Sequence, residues 1–304
     1  MTKEQLKRWI LHPSRFIPAL ITRFGSNLPD SLFLKLKFYE TFGRKLNLTD
    51  PKTFNEKLQW LKLNDRNPEY TKMVDKIEAK RWAAERIGNQ YIIPTLGVWE
   101  KAEDIDFDSL PEQFVLKTNH DSGGVVICID KSKLDKAKAI KKLNNSLKRD
   151  FYKFWREYPY KNVKHLIFAE EFIPAPDYEL SDYKFFCFDG EPKFLFVGTD
   201  RQKAGEEVKF DFFDLQFNHL PIRNGHDNAP NCPKKPANFE KMVKLASVLS
   251  KGIPHVRVDF YNVNGRILFG ELTFYHFAGF VTFEPESWDY KFGEYINIER
   301  TKPQ

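Results

Sequence analysis

HVRVDFYNVNGRILFGELTF, residues 255–274, reads as two apolar strands folded back on each other at Asn264-Gly265, a dipeptide that favours a tight hairpin. Two carboxylates, Asp259 and Glu271, interrupt the apolar pattern. Two acids on buried strands repel each other unless a cation lies between them. Register decides whether they meet. A strict two-residue turn sets Asp259 opposite Gly270 and sends Glu271 to the other face. A three-residue loop, Val263-Asn264-Gly265, shifts the parity by one. Arg257, Asp259, Glu271 and Thr273 then share a face, with Arg257 opposite Glu271 and Asp259 diagonal to it. This second geometry is the one expected. The competing reading is a surface hairpin with an Arg–Glu cross-strand pair. The cation suited to such acids is Mg²⁺ carrying a nucleotide triphosphate, because it takes hard oxygen ligands and keeps phosphates in its shell.

The surrounding chain has 304 residues, 41% of them hydrophobic and 15% aromatic, with 29 phenylalanines. That composition supports a packed core and excludes global disorder. No apolar run approaches the roughly 18–20 residues of a membrane span. Cys128, Cys187 and Cys232 are odd in number and far apart, which predicts reduced thiols and a cytoplasmic setting. The net charge of +6 suits an anionic ligand or surface. Residues 1–48 mix Lys3, Lys7, Arg8, Arg15 and Arg23 with Trp9, Phe16, Leu20 and Phe24. Short basic amphipathic helices there pack on the body or touch the inner face of a membrane. No nucleic acid is expected as a partner.

Thr53 and Glu56 form a capping box at the head of FNEKLQWLK, and a single helix is expected from about Thr71 to Ile87, ending at Gly88. From Phe114 strands dominate and pair through short turns. The fold class is therefore α+β with mostly antiparallel sheets. The expected division is a helical region at 1–70, a flanking region at 71–113, a lid at 114–173 and a C-terminal unit at 174–304.

Three further constellations could carry chemistry. Lys117 ends the strand FVLKT and precedes Ser122, Gly123 and Gly124; glycine amides and a strand-end lysine can cradle an anion. No GK[ST] opens a helix, so this is not a Walker loop. AEEFI, residues 169–173, places acids abruptly after an apolar strand, where backbone groups can meet an adenine edge; an ordinary sheet exit is the alternative. In SDYKFFCFDG, Asp182 and Lys184 share one strand face and Tyr183 and Phe185 the other.

In order and spacing these elements resemble the ATP-grasp superfamily, and more closely its TupA-like branch, found among bacterial surface-polysaccharide genes. FNEKLQWLK, VDKIEAKRWAAERIG, YIIPTLGVW, LPEQFVLKTNHDSGG, AEEFI, DYKFFCFDGEPKF, VRVDFYNVNG, FGELTFY and WDYKFGEYI carry the resemblance, over roughly residues 35–298. It implies two α+β subdomains clasping ATP. Lys117 would hold the α/β-phosphates under a lid formed by Ser122, Gly123 and Gly124. Glu170, Glu171, Phe172 and Ile173 would form the adenine hinge, and Asp177 or Glu179 would hold the ribose. Lys184 and Arg257 would face the γ-phosphate; Asp259, Glu271 and Thr273 would ligate Mg²⁺. The chain departs from the family at Thr273, where Asn is common, at Asp121 inside the phosphate loop, and at His276-Phe277 before Gly279.

The implied activity is ATP-dependent joining of a carboxylate to an amine through an acyl phosphate, on an acidic sugar or amino-acid unit of a capsule or surface polysaccharide. His120, beside the lid, could accept the amine proton, though an ordinary loop histidine is the simpler reading. Alternatives are a sugar or polyol kinase on the same scaffold, a glycosyltransferase using DFD at 106–108 or DFFD at 211–214, and a non-catalytic polyanion binder.

Overall fold

The computed structural model describes residues 25–174, 181–199 and 207–301. The basic helices expected within residues 1–24 lie outside these residues, as do Asp177 and Glu179. Ten strands are described: β1 (Thr95–Trp99), β2 (Phe114–Thr118), β3 (Val125–Cys128), β4 (Ile167–Glu171), β5 (Asp182–Phe188), β6 (Glu191–Thr199), β7 (Lys209–Asp214), β8 (His219–Leu220), β9 (Val256–Val263) and β10 (Arg266–Thr273). They form a four-stranded sheet in the order β1-β4-β2-β3 and a six-stranded sheet in the order β10-β9-β5-β6-β7-β8. Neighbours are antiparallel throughout. The class is α+β, as expected.

The β9–β10 hairpin corrects the expected register. Asn264 and Gly265 have φ of 51° and 81°, the doubly positive pair of a two-residue turn whose twist matches the strands. Pairing runs from Arg266 opposite Val263 to Phe269 opposite Phe260, then resumes with Glu271 opposite Asp259 and Thr273 opposite Arg257. Gly270 is the extra residue of a β-bulge. The acids do share a face, but the bulge brings them there and not the loop. They stand directly opposite each other, and Arg257 faces Thr273 instead of Glu271. A Cβ at position 270 would lie 3.1 Å from the carbonyl oxygen of Asp259, so glycine is what lets the bulge sit this close.

Continuing the register, one row across the six-stranded sheet reads Glu271, Asp259, Lys184, Phe196 and Phe212. One end of this face is charged and the other aromatic. Phe186 and Phe194 pack there against Phe54 of helix α2 (Phe54–Asn64) and Phe292 of helix α8 (Ser287–Glu294), with Phe194 stacked on Phe292 at 3.6 Å between centroids and Phe196 packed on Phe186. Each such buried ring contributes about 1.5–3 kcal/mol. Helix α7 (Phe239–Ser250) covers the opposite face through Phe239, against Phe185, which in turn meets Phe260 edge-on. A second core, under the four-stranded sheet, holds Phe107, Phe114, Leu116, Leu143 and Ala169. Leu143 belongs to helix α5 (Lys136–Leu147). A third small core holds Phe33, Leu34 and Phe38 of helix α1 (Asp30–Phe42). A short helix, α6 (Phe151–Trp155), lies between β3 and β4 in sequence.

The capping box at Thr53 and Glu56 is present. The single helix expected over 71–87 is instead two, α3 (Tyr70–Val74) and α4 (Lys76–Ile87). The break is at Asp75, whose carboxylate accepts from the amides of Ile77 and Glu78 at 2.9 and 3.4 Å. A side chain that caps its own neighbours competes with helix continuation. The restart lets Lys76 reach Glu271 of the six-stranded sheet at 3.9 Å and Lys80 reach Glu170 of the four-stranded sheet at 2.6 Å.

Candidate active site

The charged end of the six-stranded sheet forms one wall of a cleft of about 310 Å³. Arg257 holds Asp259 bidentately, Nε to Oδ1 at 2.7 Å and Nη2 to Oδ2 at 2.8 Å. Lys184 bonds the same Oδ2 and lies 3.2 Å from Asp182. All four groups are buried. Burial pushes the Asp259 carboxyl up, but the Arg257 and Lys184 cations outweigh it and leave the group below its ordinary value. It is a carboxylate at neutral pH. Glu271 stands at the rim, more than a third of its side chain exposed, with Oε1 3.5 Å from Arg257 and Oε2 3.9 Å from Lys76. The Thr273 hydroxyl accepts from Arg257 at 3.1 Å and donates to Glu271 at 3.4 Å.

Arg257 is itself supported. Its Nη1 donates to His276 Nδ1 at 2.8 Å, and His276 Nε2 meets Asn224 Oδ1 at 2.7 Å. Because the guanidinium can only donate, His276 must carry its proton on Nε2. Burial, then the Arg257 charge, holds His276 far below the usual histidine range, so it stays neutral. The turn that delivers it is strained: Phe277, Ala278 and Gly279 all have positive φ, at 46°, 54° and 66°. Helix α2 holds that turn. Gln59 donates to the carbonyls of Ala278 and Gly279 at 3.1 and 2.8 Å, and Lys62 donates to Ala278 at 2.8 Å. The departure at His276-Phe277 is thus a built support for Arg257.

The second wall is one face of the four-stranded sheet. Strand alternation brings Val115, Lys117, Val125, Ile127, Phe168 and Glu170 to the cleft. Four are apolar, and Ile127 is 47% exposed, an apolar platform left open. Glu170 lies between two lysines, 2.5 Å from Lys117 and 2.6 Å from Lys80. Burial pushes its carboxyl up, and the Lys117 and Lys80 charges outweigh that and lower it. Lys80 also donates to Thr95 Oγ1 at 3.0 Å.

The glycine loop closes one end. Asp121 lines the cleft, but its charge is taken up within the loop and by Ser146. Its buried carboxylate accepts from Thr118 Oγ1 at 2.6 Å, from the Gly124 amide at 3.0 Å and from Ser146 Oγ. These bonds fold the loop on itself. The Gly124 amide is thereby occupied, and a Cβ on Gly124 would collide with Thr118 and Ser146. Ser122 and Gly123 are exposed, and Ser122 lines the cleft. Lys76 Nζ donates to the Asp121 carbonyl at 2.7 Å, tying the loop to helix α4. His120 is buried and stacked on His165 at 3.6 Å, and burial lowers it to about 4. It is a packing histidine and not a poised base.

The structure therefore brings Lys117, Ser122, Glu170, Lys184, Asp259 and Glu271 to one cleft, and Arg257 and Thr273 join them through bonds to Asp259 and Glu271. Glu171 is exposed on the far side of its strand, and its amide donates to the Pro94 carbonyl at 3.1 Å. Phe172 and Ile173 follow at the sheet exit, half-buried. Asp182, singled out with Lys184, lines the cleft as well, whereas Lys76, Lys80 and Asn224 join the site without having been singled out for it. The four-residue spacing of Lys76 and Lys80 on one helix was the available signal.

Asp259, Glu271 and Thr273 offer hard oxygens on one sheet face, two of them in directly opposed carboxylates, a donor set that suits Mg²⁺. Glu271 is the open member; both oxygens of Asp259 are engaged by cations that a bound phosphate would also attract.

The model of the TupA-like ATP-grasp family matches residues 56–297, and the chain belongs to that family. No curated protein matches it significantly. Similar solved structures include the D-alanine–D-alanine ligase from Bacillus anthracis complexed with ATP, at 17% identity and a TM-score of 0.38, covering 66% of this chain and 53% of that one. The ATP-grasp ligase PsnB complexed with minimal precursor shows 11% identity and a TM-score of 0.41, covering 73% and 60%. The D-alanine–D-alanine ligase from Helicobacter pylori shows 12% and 0.40, covering 74% and 61%. The chain thus spans between about half and two thirds of the length of these ligases. Among the described residues no helix is long and apolar enough to cross a membrane.

Proposed function

We propose that the protein is an ATP-dependent carboxylate–amine ligase that works through an acyl phosphate. The observation that carries the reading is the row Lys184, Asp259, Glu271, with Arg257 beside it, facing Lys117 and Glu170 across one cleft. The adenine ring would lie on Val115, Ile127 and Phe168, with the backbone of 170–173 along its edge. Lys117 and the loop at 122–124 would take the α/β-phosphates. Lys184 and Arg257 would meet the γ-phosphate and the charge that develops as the substrate carboxylate attacks it. Asp259 and Glu271, with Thr273, would hold Mg²⁺, which when bound neutralises phosphate charge. Attack forms the acyl phosphate and releases ADP; an amine then displaces phosphate and leaves an amide. The residues act by positioning and neutralising charge. The substrate class we propose is an acidic sugar or amino-acid unit of a bacterial capsule or surface polysaccharide, made on the cytoplasmic side.

The glycosyltransferase alternative loses its motifs. Asp106 caps its own turn through the amides of Asp108 and Ser109 at 3.1 and 3.3 Å. Asp211 and Asp214 sit three residues apart on β7 and so point to opposite faces. The test is a screen of acidic sugars crossed with amines for ADP release, followed by the product mass. An amide mass supports the ligase; a phosphate ester would replace it with a kinase.

A further inference from the structure

On the face of the six-stranded sheet opposite the Asp259 row, and towards its other edge, three side chains of different kinds converge. Asp211 on β7 and His219 on β8 share that face, because Phe213 pairs with His219 and Asp211 lies two residues before it. His219 Nε2 is 3.1 Å from Asp211 Oδ1. Cys232 arrives from the connection after β8, and one donor atom from each of the three lies within 4.8 Å of the others. We propose that Asp211, His219 and Cys232 bind a zinc ion.

Asp211 is 1% exposed, and among the described residues no lysine or arginine pairs with it. A buried carboxylate without a cation is costly. Its second oxygen is already oriented, accepting from the Ala229 amide at 3.2 Å. That outer bond leaves Oδ1 directed at the cluster, as second-shell contacts to ligating carboxylates do. The connection is pinned in place. Phe210 N donates to Asp227 O at 3.0 Å, and Asn228 Nδ2 donates to the carbonyls of Phe210 and Ile222 at 2.7 and 3.0 Å. Pro230 and Pro233 then stiffen the approach of Cys232. One carboxylate, one imidazole and one thiolate form a borderline-soft donor set, which selects zinc over Mg²⁺. Bonds of about 2.0–2.3 Å would draw the donors, which lie within 4.8 Å of one another, together by up to about 1 Å. The Cys232 thiol would lose its proton to solvent on binding, and water would complete the tetrahedron on the exposed side. The same connection carries Asn224, so the ion would clamp the segment that supports His276 and Arg257.

The test is titration of the full chain with Co²⁺ as the spectroscopic stand-in, read by its thiolate charge-transfer band, with Cys232→Ser, His219→Gln and Glu271→Gln beside the wild type. We expect one equivalent with a thiolate band. Cys232→Ser should lose the band and bind this equivalent about 100-fold or more weakly. His219→Gln should weaken it too, and Glu271→Gln should leave the band unchanged. Cys232 is exposed, so its variant should fold; added zinc should raise the melting temperature of the wild type and not of this variant. Absence of a thiolate band in the wild type, or its survival in Cys232→Ser, overturns the proposal.

Discussion

The two walls of the cleft carry opposite charge. The wall built from β2, β4 and helix α4 sets one acid, Glu170, between two lysines. The wall built from β5, β9 and β10 sets three acids, Asp182, Asp259 and Glu271, around Lys184 and Arg257. Cations outnumber acids on the first wall, where Lys76 of helix α4 joins the two lysines, and acids outnumber cations on the second. Such a cleft suits a ligand that is itself split, with phosphates towards the lysines and a divalent ion towards the acids. The aromatic half of the sheet adjoins the acidic wall, with Phe196 5.7 Å below the Arg257 guanidinium. Charges there lie beside low-dielectric surroundings, where each counts for more than it would in water.

Several changes would break or sharpen this contrast. The largest effect should come from the acidic wall: Glu271→Gln and Asp259→Asn should lower ADP release by about 10³-fold or more with unchanged circular dichroism. Full turnover by both would remove the acidic wall from the chemistry. On the basic wall, Lys117→Met should lower kcat/KM for ATP by about 10²-fold; an unchanged value would show that the lysine serves only Glu170. His276→Ala should act through Arg257, lowering kcat about tenfold with little change in KM. A KM effect alone would mean that Arg257 keeps its place without the histidine. Gly270→Ala should cost about 1–3 kcal/mol in urea unfolding, because the bulge that aligns the acids has no room for a Cβ.

A last effect concerns pH. Burial holds His120 at about 4 and His255 at about 3, both under their unfolded value of 6.5. As pH falls below 6.5 the unfolded chain takes up these protons first. Stability from the neutral rings is therefore intact above 6.5 and lost as pH falls towards 4 and then 3. The slope is up to about 1.4 kcal/mol per pH unit for each ring. Urea midpoints at pH 7 and 4.5 should show the loss, and His120→Asn should reduce it; a flat profile would contradict the burial account.

Much of this was legible in the sequence. Alternation alone placed Asp182 and Lys184 on one face, and the ordered motifs gave the α+β architecture. The hairpin was harder. The expectation that Asp259 and Glu271 meet was right, but it relied on a longer loop. A glycine inside a strand is itself a bulge signal, and Gly270 was the residue to weigh. Asp75 hid a helix break because a capping aspartate between two good helical stretches leaves the periodicity intact. The roles of His276, Asn224 and Asp121 depend on partners dozens of residues away, such as Ser146 for Asp121. No spacing rule reaches those contacts. Cys232 was read by its distance from other cysteines, whereas its neighbours are an aspartate and a histidine brought in by the sheet.

The most direct test is the dependence of ADP release on free Mg²⁺ in wild type and Glu271→Gln, at saturating ATP. The two-acid site predicts that the variant needs at least about tenfold more Mg²⁺ for half its reduced maximal rate. Identical Mg²⁺ curves, or ADP release that persists in chelator, would contradict it.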